Sequence, residues 1–180
     1  MAVSHGLAAE PLGEISIANW WDPLALEPLL IDKPGSWIDL LQRARSDFDK
    51  VILSSSIETV LSSYPFDRVI CDRVLTLVGI LQRIAEETDE NGALSEVGIE
   101  TFQQFFVGKK APFSDESDTN KHAFRQSLTF PDPSNPTARI FCPWHGKIRK
   151  EQFRIHFEWE RPLGQQKIKV VYVGPKITKA

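Results

Sequence analysis

The sequence is poor in cysteine and has no long apolar run, and both absences narrow the class of protein. Among 180 residues there are only two cysteines, Cys71 and Cys142, which lie far apart in the chain. Small secreted domains are usually richer in cysteine, so two free thiols and a cytoplasmic location are expected. No stretch approaches the ~18 apolar residues of a membrane span, and no basic region followed by an apolar core opens the chain. A membrane partner is therefore not expected.

Glycine-rich phosphate-binding motifs are also missing. The chain contains neither GxxxxGK[ST] nor GxGxxG. These motifs hold nucleotide phosphates against backbone amides at the start of a helix. Their absence argues against a nucleotide or dinucleotide site of these kinds, and no cofactor is predicted.

Charge is unevenly distributed along the chain. The formal net charge is −3, yet the segment 137–180 has ten lysines and arginines against three glutamates. A basic segment on an acidic body is typical of a surface that binds a polyanion. The same pattern also arises when lysine and arginine protect exposed sheet edges, or when a basic segment packs on the protein's own acidic half. Charge alone leaves these three interpretations open.

The pattern of apolar residues predicts an α+β fold, with a helical N-terminal half packed on a small antiparallel C-terminal β-sheet. We divide the chain into an N-terminal arm (1–35), a helical region (36–108), a polar loop (109–136) and a basic antiparallel sheet (137–180), all in one folded unit. Helices are expected to begin near Ser36, Phe66 and Ser95, and the first is expected to include Val51 and Ile52. In the arm, Trp20, Trp21 and the leucines after them are expected to pack on the core.

Three C-terminal segments read as strands: ARIFCPW, EQFRIHFEW and QKIKVVYVG. In the middle segment, alternate residues from Phe153 to Trp159 are apolar, which predicts one face packed on the helices. The other face would then present Arg154, His156 and Glu158 in a row.

The pair Cys142 and His145 has the spacing of two zinc ligands. A complete site would need further ligands, for which His156, His122 and Cys71 are the candidates. The chain has no second closely spaced pair, so no metal is predicted, and a buried cysteine beside a hydrogen-bonded histidine is the favoured interpretation. Cys142 is also a weak candidate nucleophile, since Pro143 removes the next backbone N–H from any oxyanion site.

Cations and histidines are concentrated in the last forty residues. Metal-independent cleavage of RNA needs a group that takes the proton from the 2′-hydroxyl, cations that stabilise the phosphorane, and an acid for the leaving oxygen. Histidine can serve as acid or base near neutral pH, and arginine can bind phosphate through two N–H groups. The candidate catalytic residues are His145, Arg154, His156 and Tyr172, and the candidate nucleic-acid-binding residues are Lys147, Arg149, Lys150, Lys169 and Lys176.

The order PWHGKI, EQFRIHFEW and KIKVVYVGPKI resembles the C-terminal sheet of RelE/ParE-like toxins. The resemblance covers about 40 of the 180 residues. RelE-like members cleave mRNA on the ribosome without a metal, which implies that Lys147 and Arg154 contact phosphate and that Tyr172 or Lys176 assists at the scissile group. His145 and His156 have no counterpart in the family. The family toxins are shorter and basic overall, and ParE-like members act on gyrase instead.

The sequence therefore predicts two alternative functions. The first is an RNA-directed, metal-independent ribonuclease-like protein of toxin or defence type, acting on RNA or the ribosome through a basic sheet face. The second is a non-enzymatic interaction module whose basic sheet docks an acidic protein partner. Steep salt dependence of RNA binding would favour the first, and a salt-resistant protein complex would favour the second.

Overall fold

A computed structural model describes residues 2–7, 10–16, 33–148, 150–159, 161–162 and 164–178, which belong to two compact units, Met1–Lys33 and Pro34–Ala180. The first unit contains an antiparallel hairpin of β1 (Ala2–Leu7) and β2 (Glu10–Ser16). The predicted packing of Trp20 and Trp21 lies outside the described residues. The functional arguments below concern the second unit.

The described residues of the second unit form five α-helices. They are α1 (Trp37–Asp47), α2 (Ser56–Leu61), α3 (Arg68–Glu86), α4 (Glu96–Phe106) and α5 (Asp118–Ala123). Ser36 caps α1 by accepting a hydrogen bond from the Asp39 amide at 3.1 Å, and Ser95 caps α4 in the same way. These two helix starts are confirmed, but α1 ends five residues before Ile52. Val51 and Ile52 belong to a strand instead.

The second unit has one five-stranded sheet and one separate hairpin. The strands are β3 (Val51–Leu53), β4 (Phe113–Ser114), β5 (Thr129–Asp132), β6 (Asn135–Phe141), β7 (His145–Lys147), β8 (Phe153–Phe157) and β9 (Ile168–Pro175). The sheet order is β3-β9-β8-β7-β4, and β5 pairs with β6 alone. The predicted α+β class is confirmed, with helices mostly in the N-terminal half.

Two details of the predicted sheet are wrong. The sheet is mixed, because β3 runs parallel to β9 while its other strand pairs are antiparallel. The segment ARIF also leaves the sheet, since it forms β6 and pairs with β5. That hairpin and α5 occupy part of the segment 109–136, which was predicted to be a loop with one brief ordered piece around SLTF.

One face of the sheet packs on helix α3, as the alternation in β8 predicts. Phe153, Ile155 and Phe157 are almost fully buried there, together with Leu77 and Leu81 of the helix. Burial of each such side chain contributes about 1.5–3 kcal/mol to stability. This face therefore holds the core and leaves the polar side chains of β7 and β8 on the opposite face.

The opposite face is partly covered by the hairpin β5–β6. The ring of Phe130 lies 5.9 Å from the rings of both His156 and Tyr172, measured between centroids. Asp132 at the end of β5 binds the Nζ of Lys169 at 2.9 Å. The expectation of an open row of polar groups on this face is therefore wrong where the hairpin lies.

Candidate functional site

Strands β7 and β8 place four predicted site residues in two neighbouring pairs. Lys147 lies opposite Arg154, and His145 lies opposite His156. Gly146 separates the two cross-strand pairs, and a Cβ there would stand 2.8 Å from Ile155 and 2.9 Å from Phe113. Only glycine allows these strands to pack so closely on the core.

The first pair lines a cavity of about 280 Å³, which we call the basic cavity. Its wall comes from β7, β8, helix α3 and the turn before β4. Five of the lining side chains are cationic: Arg73, Lys109, Lys110, Lys147 and Arg154. Ala111, Pro112 and Gln152 are the other described residues of the lining. Within the described part of the chain, none of the five cations forms an ion pair with an acidic side chain.

Lys147 and Arg154 form the inner wall of the basic cavity, because both are half-buried while Lys109 and Lys110 are exposed. Lys147 donates from Nζ to the carbonyl of Ala111 at 3.4 Å, and Arg154 donates from one terminal nitrogen to the carbonyl of Phe153 at 2.9 Å. The Nε of Arg154 is buried and has no acceptor among the described residues. Burial, and then the neighbouring charge of Arg154, lowers the pKa of Lys147.

The second pair belongs to a closed group, His145, His156 and Glu116, which we call the histidine cluster. The Nδ1 of His145 lies 3.4 Å from a carboxylate oxygen of Glu116, and its Nε2 lies 3.2 Å from the hydroxyl of Ser114. Burial lowers the pKa of His145, and the charge of Glu116 opposes that shift. Both ring nitrogens already have protein partners within hydrogen-bond range.

Glu116 is held on three sides. Asn120 donates to one of its oxygens at 2.7 Å and the hydroxyl of Thr178 donates to the other at 3.1 Å. Burial alone would raise the pKa of Glu116, but these hydrogen bonds and the positive charge that His145 can carry keep it below the ordinary value. The carboxylate is therefore a fixed anion at the centre of the histidine cluster.

His156 is 1% exposed, and its Nδ1 lies 3.0 Å from the carbonyl oxygen of Cys142. Burial lowers the pKa of His156 to about 4, with His145 adding to the shift. Tyr172, also predicted to be catalytic, donates its hydroxyl to the carbonyl of Pro175 at 2.9 Å, and burial raises its pKa to about 12. Neither side chain lines the basic cavity.

The remaining predicted cations are dispersed. Lys169 is 7% exposed, with its Nζ 2.9 Å from Asp132 and 3.5 Å from Glu158. Burial alone would lower the pKa of Lys169, but these two carboxylates raise it. Lys150 is exposed and forms an ion pair with Asp67, the capping residue of α3. Both ammonium groups are therefore already neutralised by acids of the protein itself.

Lys176 is half-exposed, and its backbone amide donates to the carbonyl of the lining residue Gln152 at 3.0 Å. Arg149 lies outside the described residues. Of the nine predicted site residues, the structure thus brings Lys147 and Arg154 into one open site, and the backbone of Lys176 is bonded to a residue of its lining.

Three cations of the basic cavity were missed by the sequence analysis: Arg73, Lys109 and Lys110. Arg73 lies on α3, which was read only for its apolar face. Lys109 and Lys110 follow Gly108, whose φ of 100° turns the chain after α4. The motif GKK at a helix end was the available signal, but no local pattern shows that it meets β7.

A smaller cavity of about 210 Å³ lies elsewhere, between the end of α3 and the turn after Trp159. Its polar lining is already bonded internally. Arg161 donates to the hydroxyl of Thr88 and to the carbonyl of Gln166, both at 2.9 Å, and a carboxylate oxygen of Asp89 accepts from two backbone amides. The basic cavity is therefore the stronger candidate site.

Comparisons with known proteins found no relative of this chain. No family model, no curated protein and no solved structure matches the chain. Across the described ranges there is no group of three or more histidine, cysteine, aspartate or glutamate side chains placed to hold a metal ion. Over the same residues, no helix combines the length and the apolar character needed to cross a membrane.

Proposed function

We propose that the protein binds RNA through phosphate groups that enter the basic cavity. The observation that carries this proposal is the convergence of five cations, none of which forms an ion pair with an acidic side chain among the described residues. Like charges brought together repel one another, so such a group is costly unless an anion is bound. The other buried cation of the sheet, Lys169, has two carboxylates instead.

Phosphate fits the inner wall better than the carboxylates of an acidic protein do. Arg154 offers a planar group of N–H donors, and Lys147 adds a point charge beside it. Both are half-buried, so the anion must project into a concavity. A phosphate group on a flexible strand can do so, whereas aspartate and glutamate side chains on a folded surface are short. The cytoplasmic location expected from the two free thiols agrees with an RNA ligand.

RNA cleavage is a second candidate, favoured by one observation. Lys147 lies beside the expected phosphate, and its pKa is lowered by burial and by Arg154. A lysine that loses its proton more easily is better able to exchange protons with a bound hydroxyl. We therefore assign the proton-transfer role to Lys147 and a supporting structural role to His145 and His156.

Binding is tested by fluorescence anisotropy with a labelled single-stranded oligoribonucleotide. We expect Arg73→Gln and Arg154→Gln to weaken binding by about ten- to 150-fold each, because each removes a charge-assisted hydrogen bond worth about 1.5–3 kcal/mol. Arg83→Gln is the matched control: it changes an exposed arginine of the same helix α3, away from the cavity.

Several outcomes would contradict the binding proposal. One is absence of RNA binding by the wild type, and another is equal binding by wild type and both cavity variants. Competition by poly-glutamate at the same charge concentration as RNA would favour the protein-interaction module. Cleavage is scored on gels in the presence of EDTA, where Lys147→Met must abolish any cutting for the role of Lys147 to stand.

A further inference from the structure

The charge of the basic cavity exceeds that of one internal phosphate of RNA. An internal phosphodiester carries a single negative charge, and both of its ester oxygens lead out to sugars. A phosphate at the end of a chain carries about −1.5 to −2 at neutral pH, with three free acceptor oxygens and a single connection. Five cationic side chains in about 280 Å³ match the second group better than the first.

The positions of the cations also favour a terminal phosphate over an internal one. Lys147 and Arg154 are half-buried on the inner wall, while Lys109 and Lys110 are exposed at the mouth. An internal phosphate would need two paths for the strand to leave this concavity. A terminal phosphate needs only one, so it can reach the inner wall while the following nucleotides pass the lysines at the mouth.

The unused hydrogen-bond donors on the inner wall fit a ligand that has several free acceptor oxygens. Arg154 uses one terminal nitrogen on the carbonyl of Phe153, and its Nε is buried with no acceptor among the described residues. Lys147 has a single long hydrogen bond to Ala111. These side chains retain several unused N–H donors, and a buried donor without an acceptor is unfavourable.

We infer that the basic cavity takes the phosphorylated end of an RNA chain. The inference rests on the proposed RNA binding and deepens it, because it names the part of the RNA that is recognised. Affinity should rise at least tenfold when a terminal phosphate is added to an otherwise identical strand. If the RNA is also cut by way of Lys147, the cut should fall next to the bound end.

The experiment compares oligoribonucleotides of one sequence with an internal fluorescent label. One has hydroxyls at both ends, one has a 5′-phosphate and one has a 3′-phosphate. We expect at least one phosphorylated strand to bind ten times more tightly to the wild type than the hydroxyl strand does. Arg73→Gln should remove that difference, while Arg83→Gln should leave it intact. Circular dichroism and thermal melting confirm that both variants are folded.

The outcomes separate this inference from the proposed function. If all three strands bind equally and Arg73→Gln weakens all of them, the end-recognition inference is overturned and RNA binding stands. If no strand binds, both fall together. A nucleoside monophosphate that competes as well as the phosphorylated strand would show that a small phosphate ester, without the RNA chain, is the ligand, which also overturns the inference.

Discussion

The two cross-strand pairs of β7 and β8 have opposite surroundings on the same sheet face. Lys147 and Arg154 lie at an open cavity without an acidic partner among the described residues, whereas His145 and His156 lie beneath other elements and beside Glu116. Both pairs belong to the same antiparallel register of β7 and β8. The difference comes from what covers them, because the hairpin β5–β6 and the segment around Glu116 reach the histidines and leave the cations exposed to the cavity.

This comparison teaches that residue type alone does not locate a site. Histidine is the usual acid or base near neutral pH, yet here burial favours the neutral form of both rings. Lys147 lies in the open cavity instead, where burial lowers its pKa below the ordinary value of a lysine. The closed end is thus held by internal hydrogen bonds and ion pairs, and the open end is the part that we propose binds RNA.

The largest expected effect concerns the closed part of the sheet face. Lys169→Ala leaves the buried carboxylates of Asp132 and Glu158 without their cation, and we expect a loss of about 3–5 kcal/mol in the free energy of unfolding. Urea denaturation measures this loss. Lys167→Ala, two positions earlier and exposed, is the control and should change stability by less than about 0.5 kcal/mol. A Lys169→Ala variant as stable as the control would show that the ion pairs do not hold this end together.

The second effect is a pH dependence that belongs to the histidine cluster. The folded-state pKa of His156 is about 4, below the ordinary value of 6.5. The unfolded chain takes up this proton below about pH 6.5, so the stabilisation is complete above that pH. It is lost as the pH falls toward 4, by about 3 kcal/mol in total at 1.36 kcal/mol per pKa unit.

Urea unfolding at pH 7.5, 5.5 and 4.5 tests this for the wild type and His156→Gln. The wild type should lose stability steeply below pH 6.5, and the variant should show a shallower dependence, to which His145 still contributes in the same direction. Identical slopes for the two proteins would mean that His156 does not titrate as described. RNA affinity at pH 7.5 should be unchanged in folded His156→Gln, because this side chain does not line the basic cavity.

The smallest effect is expected at the edge of the open end. Lys176→Ala removes a half-exposed cation next to Gln152, and we expect RNA binding to weaken only about two- to threefold, since solvent and salt screen such charges. The same anisotropy assay measures it at 50 and 200 mM salt. A loss as large as that of Arg73→Gln would mean that the rim binds RNA as strongly as the cavity does.

Local patterns in the sequence predicted helices α1, α3 and α4, but α2 and α5 were not predicted. Caps such as Ser36 and Ser95 act within one turn, and the apolar repeat of α3 identifies its buried face, although Val69 is exposed. The alternation in β8 likewise identified the core face correctly. It could not show what lies on the other face, because the covering hairpin comes from a segment that reads as polar and rich in proline.

The candidate site was predicted only in part. Lys147 and Arg154 were both named as candidate site residues, and they lie opposite one another on adjoining strands. Arg73, Lys109 and Lys110 reach the cavity through tertiary packing of α3 and of the turn after α4, which no local pattern encodes. The residues of the short strand β3 were predicted to continue the first helix, because apolar residues directly after a helix extend its apolar pattern.

The order of strands in the sheet has a consequence for synthesis on the ribosome. Strand β9 comes last in the sheet along the chain, yet it lies between β3 and β8, and its parallel partner β3 is more than 100 positions earlier. Closing so long a loop is entropically costly, and non-local pairing slows folding. At about 5–20 residues per second, translation leaves β3 and β8 unpaired along these edges until β9 emerges. The nascent chain therefore depends on its last sheet strand to complete the fold.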